Sequence, residues 1–270
     1  MANALYKNIL QRLPAGLILA LSVFGILYLQ NIYIIFALII IAGFMLIKEW
    51  LSLSDSSVSL KQVIFVVTII ICSFFFEEVF IDLLLLAILI FWVIFSFCLI
   101  FNKKLSFISF DNNYLGAFLV FGFIFGLIHL IFFSEFTNLN KFFVLFIILF
   151  NVVIADIGAY LVGSSIGKTP LFPNISPNKT IEGLMGGAAL VIIFITSLYF
   201  FDLISVGLLL ASLISLPFAF VGDYFESQLK RSKSVKDSGS LIPGHGGIWD
   251  RLDSHIAVMP IFICLTHLML

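Results

Sequence analysis

Charge is what this sequence has least of. Asp, Glu, Lys and Arg make up only 11% of its 270 residues, against about 25% in an ordinary soluble domain. The 14 basic and 15 acidic side chains nearly cancel, to a net charge of −1, so there is no basic field to hold a nucleic acid. Disorder is excluded as well, because it needs low hydrophobicity and high net charge. Cysteine is equally scarce. Cys72, Cys98 and Cys264 each sit alone in an apolar run, which makes neither a disulfide framework nor a zinc site and leaves them as small buried hydrophobes. There is no internal repeat and no low-complexity linker, and the halves carry no matching broken helices of the kind transporters use.

What the sequence has in abundance is apolar surface: 62% hydrophobic residues, 33 of them Phe, and a mean hydropathy of +1.21. A soluble chain of this length could not hide it, and the remaining solvent is lipid. A membrane helix needs ~17–25 mostly apolar residues. About nine runs qualify, several of them short: Pro14–Leu29, Ile32–Ile47, Val63–Phe76, Leu83–Phe101, Tyr114–Phe133, Phe142–Leu161, Gly183–Phe201, Leu203–Phe220 and His255–Leu270. The first two, joined only by Gln30 and Asn31, read as a tight helical hairpin. The expectation is an all-α, polytopic membrane bundle of about nine helices. It divides into an N-terminal hairpin and connector (1–62), middle helices (63–150) and a region with two polar loops (151–270).

Charge placement tests that count. With nine spans and the N-terminus inside, every Lys and Arg except Lys141 falls on the inner side, as the positive-inside rule asks. Lys7 and Arg12 precede an apolar run without a small-residue cleavage site, so the first span is expected to stay on the protein. Trp50, beside Lys48 and Glu49, reads as an interfacial anchor, and His129 as a packed, hydrogen-bonded helix residue. The outer loops are short; the long polar ones, Val162–Glu182 and Val221–Ser254, both fall inside.

Polar chemistry concentrates in those two loops. In the second, Asp223, Ser227, Lys230 and Arg231 lie at offsets 0, 4, 7 and 8, one face of a helix if it continues past the membrane. A carboxylate, a hydroxyl and two cations there suit a metal-bound phosphate; the plain alternative is a solvated helix end. Lys236-Asp237-Ser238-Gly239 and Pro243-Gly244-His245-Gly246-Gly247 follow. Glycines around His245 let backbone N–H groups approach a ligand, or simply make a flexible turn. Asp250 and Asp253, at offset 3, can share a helical face. Asp223 and Asp250 then sit at the inner ends of consecutive helices, where they can converge. Mg²⁺ takes oxygen ligands, usually one or two carboxylates completed by waters and phosphates. Asp156, a carboxylate near the inner end of the sixth span, leads into the first loop, which holds Ser176-Pro177-Asn178-Lys179-Thr180. Lys179 with helix-start N–H groups can clamp a nucleotide phosphate; equally, Thr180 can be a helix cap and Lys179 an ordinary positive-inside residue.

Together these residues resemble the signature of the phosphatidate cytidylyltransferase (CDP-diacylglycerol synthase) family. It reads here as Ser227, Lys230-Arg231, Lys236-Asp237, Gly239, His245-Gly246-Gly247 and Asp250-Arg251-Leu252-Asp253. Asp156, Gly158-Ala159-Tyr160 and Ser176–Thr180 look like the family's upstream region, and the likeness is specific from about residue 151 to 255. The resemblance implies CTP and phosphatidic acid as substrates, CDP-diacylglycerol and pyrophosphate as products, and a homodimer in a bacterial inner membrane. It implies Mg²⁺ held by Asp223 and Asp250, and a second, monovalent cation such as K⁺ beside Ser227 and Asp253. Lys179 and Arg231 would meet the phosphates of CTP, with Asp156, Ser176 and Thr180 lining its site. Lys230, Lys236 or Arg251 would meet the lipid phosphate, and Asp237 and His245 complete the catalytic set.

Two rivals differ in kind. A CTP-dependent lipid kinase would release CDP instead of pyrophosphate; the unbroken His-Gly-Gly-x-x-Asp-Arg-x-Asp stretch speaks against it. A transporter or channel wants ionisable groups near the midplane, whereas these acids gather at one face. The topology has a direct check: single cysteines introduced at 174 and 240 are expected to react only with reagent admitted from the cytoplasmic side. Labelling from outside would overturn the orientation and, with it, access to cytosolic CTP.

Overall fold

The computed structural model describes residues 21–54, 68, 78–101, 103, 105, 107–134, 136, 139–173, 175–239 and 246–269. Residues 21–29 are helical, and Gln30, with φ 50°, turns the chain into α1 (Ile32–Leu53). Asn31 caps α1 by accepting the N–H groups of Tyr33 and Ile34 at 3.0 and 3.2 Å, so a turn lies where the sequence joins the first two runs. There follow α2 (Glu78–Ile100), α3 (Asn113–Phe132), α4 (Lys141–Ile166), β1 (Pro170–Phe172), β2 (Ser176–Thr180), α5 (Ile181–Phe200), α6 (Val206–Ser232) and α7 (Trp249–Met269). The side chains of Asn112, Asn140, Thr180 and Ser205 cap α3 to α6, each satisfying an N–H that has no partner inside its own helix.

Seven of these helices are long and apolar enough to cross a membrane, and the chain is an integral membrane protein. Their outward faces carry large apolar side chains such as Leu83, Ile94 and Ile193, which a lipid solvent accepts and water would not. α3 and α7 are the most enclosed of the seven. Among the described residues the one departure from an all-helical chain is the antiparallel pair β1–β2. The candidate span Val63–Phe76 lies outside the described residues apart from Thr68; so do Cys72, His245 and the start of the first span.

Several helices overrun the apolar runs that predicted them. α6 continues 12 residues past Phe220 to Ser232, and α7 begins at Trp249, ahead of His255. Hydropathy marks only the part of a helix in lipid, and the polar extensions carry the residues of interest. Trp50 corrects an expectation: it is 2% exposed, packed on Phe110 and Trp249 with ring centres 4.8 and 5.1 Å away. It is a core residue joining α1 to the start of α7, with no face left for the membrane interface. His129 is packed as expected, stacked on Phe133 and edge-on to His267, but its Nδ1 has no hydrogen-bond partner among the described residues.

Two pairs of helices approach most closely, α4 with α5 and α6 with α7. A Cβ added at Gly187 of α5 would lie 2.4 Å from the carbonyl oxygen of Ala155 on α4, and one at Gly222 of α6 would lie 2.6 Å from that of Asp253 on α7. Small residues permit such backbone contact, and in lipid, packing of this kind replaces the hydrophobic drive that joins helices in water. Gly187→Val is therefore expected to cost about 1–3 kcal/mol, as overpacking does, seen as a lower midpoint of thermal unfolding in detergent. Gly25→Ala, where an added Cβ meets nothing within 4 Å, should leave that midpoint unchanged.

Candidate active site

The contact at Gly222 sets the geometry of everything polar around it. It brings Asp223, the next residue of α6, against the first turns of α7. Asp223 and Glu226 lie one turn apart on the same face of α6, opposite Asp253. One carboxylate oxygen from each of the three lies within 4.8 Å of the others. Glu226 is 1% exposed and its Oε1 has no hydrogen-bond partner among the described residues. Asp253 Oδ1 accepts the N–H of Ser254 at 2.7 Å.

Such a group of acids is held together only by neighbouring cations or by taking up protons. Two ammonium groups answer it. Lys179, on β2, pairs with Asp223 and sits over the ring of Tyr224, 4.7 Å from its centre. The hairpin that carries Lys179 is anchored at both ends of β1. Phe172 of β1 meets Tyr224 edge-on, ring centres 5.0 Å apart. Glu182, in the first turn of α5, accepts the N–H groups of Lys168 and Thr169 at 3.1 and 3.2 Å and the Thr169 hydroxyl at 2.9 Å. Lys230, one turn beyond Glu226 on α6, reaches Glu226 Oε2 at 2.7 Å and Asp250 Oδ1 at 2.5 Å, with its side chain 12% exposed.

The geometry divides the acids at the start of α7. Asp253 turns to Asp223 and Glu226. Asp250 turns away, its Oδ2 accepting the N–H and hydroxyl of Ser238 at 2.8 and 2.9 Å and the N–H of Gly247 at 2.8 Å. Asp223 and Asp250 are thus joined only indirectly, through Glu226 and the Lys230 ammonium. The described part of the glycine turn faces inward: Gly246 adopts φ +81° with its α-carbon against the Asp250 carboxylate. The remaining residues singled out in the sequence surround this core. Asp156 is exposed on α4, within electrostatic reach of Asp223, Lys179 and Arg251. Thr180 caps α5 through Gly183 N–H at 3.1 Å, and Ser176 stands at the far end of β2 from Lys179. Ser227 is half-buried on α6. Arg231, Lys236, Asp237 and Arg251 are exposed, and Arg231 Nη1 donates to the Val235 carbonyl at 3.4 Å.

Four residues of this site carry no weight in the sequence reading: Glu226, Tyr224, Ser238 and Glu49. Glu226 had a signal, its offset of three from Asp223. Glu49 had none. It lies on α1, yet its oxygens accept the N–H groups of Ile248 and Trp249 at 2.8 and 3.0 Å and the Ser238 hydroxyl at 3.2 Å.

Three convergent carboxylates, one with an orphaned buried oxygen, suit a hard divalent cation with oxygen ligands. The neighbouring exposed cations suit phosphate oxygens. The donor set fits Mg²⁺ bound together with a polyphosphate.

A model of the Cytidylyltransferase family matches residues 10–269. A phosphatidate cytidylyltransferase of Bacillus subtilis (strain 168) is 44% identical over 145 residues, 51% of this chain and 53% of that protein. One of Staphylococcus aureus (strain COL) is 50% identical over 113 residues, 41% of this chain and 44% of its own. One of Staphylococcus haemolyticus (strain JCSC1435) is 49% identical over the same length. The chain spans about half the length of the curated relatives it matches, or somewhat less.

The cluster yields a binding prediction that needs no substrate. Asp223→Asn, Glu226→Gln and Asp253→Asn should each weaken Mn²⁺ or Mg²⁺ binding measured by calorimetry on the detergent-solubilised protein. Asp237→Asn, an exposed acid outside the cluster, should leave it intact. Equal losses in all four variants would mean that general surface charge holds the ion.

Proposed function

The chain belongs to the Cytidylyltransferase family, and on that footing we propose that it joins CTP to phosphatidic acid, releasing pyrophosphate and leaving CDP-diacylglycerol in the membrane. The observation that carries the reading is the Asp223–Glu226–Asp253 cluster flanked by Lys179 and Lys230, at the polar end of a lipid-embedded bundle. The names of the similar proteins support the choice of lipid substrate.

In this reading a phosphate oxygen of phosphatidic acid attacks the α-phosphorus of CTP. The bond from that phosphorus to the oxygen bridging to the β-phosphate breaks, and pyrophosphate leaves. No protein nucleophile is required, so catalysis reduces to placement and charge stabilisation. Asp223, Glu226 and Asp253 would hold Mg²⁺, with Asp250 beside them across Lys230; the family resemblance adds a monovalent cation beside Ser227 and Asp253. When bound, Mg²⁺ supplies charge neutralisation to a triphosphate that this acidic cluster would otherwise repel. Lys179, braced by Tyr224, leaves Asp223 for a CTP phosphate, and Arg231 meets another from α6. Lys230 is occupied by two carboxylates, so Lys236 and Arg251, both exposed, are the side chains for the lipid phosphate. Apolar helix faces keep the acyl chains in lipid while the phosphate reaches the polar end. The site faces the cytoplasm, where CTP is, in a bacterial inner membrane, and the protein works as a homodimer.

The test is the purified protein in detergent with labelled CTP, phosphatidic acid and Mg²⁺. A CDP-lipid and one pyrophosphate per turnover are expected; release of CDP with a phosphorylated lipid would instead make it a lipid kinase. Lys179→Ala should lower kcat/KM for CTP by ~10²–10³-fold, the usual loss of one electrostatic contact to a transferring group, at near-normal expression. Unchanged kinetics would leave Lys179 as a partner of Asp223 alone.

A further inference from the structure

We infer that Glu49 of α1 is a positioning residue for the reaction, orienting Asp250 by holding the backbone at the start of α7; the inference rests on the function proposed above. The N–H groups at the start of a helix have no partner within it and attract anions, and those of the cap residue just before it are equally open. At α7 the acceptor is not a neighbour in sequence. Glu49 takes the N–H groups of Ile248 and Trp249, one on each oxygen, while Asp250 takes that of Gly247. Three consecutive N–H groups are thus divided between two carboxylates. The Ser238 hydroxyl lies between them, 3.2 Å from Glu49 Oε2 and 2.9 Å from Asp250 Oδ2. Oδ2 of Asp250 is thereby fixed by three donors, and Oδ1 is left pointing at Lys230 and, through it, at Glu226.

The glycines of the segment are fitted to Glu49. A Cβ added at Gly239 would come 2.7 Å from Glu49 Oε1, and one at Gly247 would come 2.4 Å from Oε2 and 2.4 Å from Ser238 Oγ. In the observed position of the carboxylate, the backbone closes on it from both directions at residues that have no side chain. The end of α1 is locked to the same place by the Trp50–Trp249 contact and by the Trp249 Nε1–H donated to the Leu46 carbonyl at 2.7 Å. The aromatic contacts account for docking of the helix. They do not call for a carboxylate, and the side-chain hydrogen bonds of Glu49 to described residues fall on the segment that aims Asp250.

The experiment compares full-length wild type, Glu49→Ala, Glu49→Gln and Lys48→Ala, purified in detergent, for steady-state kinetics with CTP and phosphatidic acid, thermal unfolding, and amide exchange across 238–252. Glu49→Ala should lower kcat about 10–100-fold, because a loosened Asp250 no longer fixes Lys230 against Glu226 of the cluster and a small misplacement at a reacting centre costs up to ~10²-fold, and it should speed exchange at Ile248 and Trp249. KM for CTP should stay within about threefold, because CTP is met by other side chains. Glu49→Gln, which keeps one acceptor, should recover part of the loss, and Lys48→Ala should match wild type. If Glu49→Ala does not fold, Glu49→Gln carries the comparison. An unchanged kcat, or a loss no larger than the loss of folded protein, would overturn the inference. A wild type that makes no CDP-lipid would refute the proposed function instead; exchange at Ile248 and Trp249 that ignores Glu49 would then still refute the tether.

Discussion

Carboxylates gathered within a few ångströms of one another repel, the more so where one of them, Glu226, is buried away from water. The Asp223–Glu226–Asp253 group imposes that constraint on the rest of the molecule. The acids are forced together by the backbone contact at Gly222 and kept together by ammonium groups from two directions, Lys230 on the same helix and Lys179 on the hairpin. Removing the Lys230 ammonium would leave the buried Glu226 without its partner, which is far more damaging than never having made the pair, whereas Lys179 and Asp223 each keep about a third of their side-chain surface exposed. The arrangement is poised rather than closed. Glu226 keeps an unpartnered oxygen, and Lys179 is held by an exchangeable ion pair and a ring face.

Much of the surrounding fold can be understood as delivery of those groups. The close α4–α5 pair carries the hairpin between its members, and Thr180 and Glu182 tie the hairpin to the start of α5. That fixes where β2 ends, and Lys179 is its penultimate residue. On the opposite flank, Trp50, Phe110 and Trp249 join α1 to the start of α7. The Lys233–Asp111 pair at 2.6 Å ties the end of α6 to the segment before α3, and Lys233 holds the Asp111 carboxyl below its usual range. The clustered acids and their ammonium partners therefore stand on helix ends and a hairpin gripped from several sides.

Each helix end serves a double purpose. In lipid, backbone groups must be satisfied within a helix, so N–H groups become available only where a helix emerges. Here those groups are used to fix acids: Gly247, Ile248 and Trp249 hold Asp250 and Glu49. The donors that a glycine-rich loop can offer to a ligand are taken up, in the described residues, by the protein's own carboxylates.

Hydropathy and charge counts were enough to establish a membrane bundle, the turn at Gln30–Asn31 and the polar ends of α6 and α7, because lipid enforces composition over whole helices, whatever their neighbours. Spacing along one helix was enough to put Asp223, Lys230 and Arg231 on the extension of α6, and the same spacing held the clue to Glu226. Pairing between helices was beyond its reach. That Asp253 rather than Asp250 meets Asp223, that Trp50 is core, and that Glu49 caps a helix 200 residues further on depend on which backbones approach and how each helix is rotated. Those choices are made by glycine contacts and aromatic packing between segments far apart in the chain. No periodicity within a single segment records them, because the free energy that selects them exists only once the segments touch.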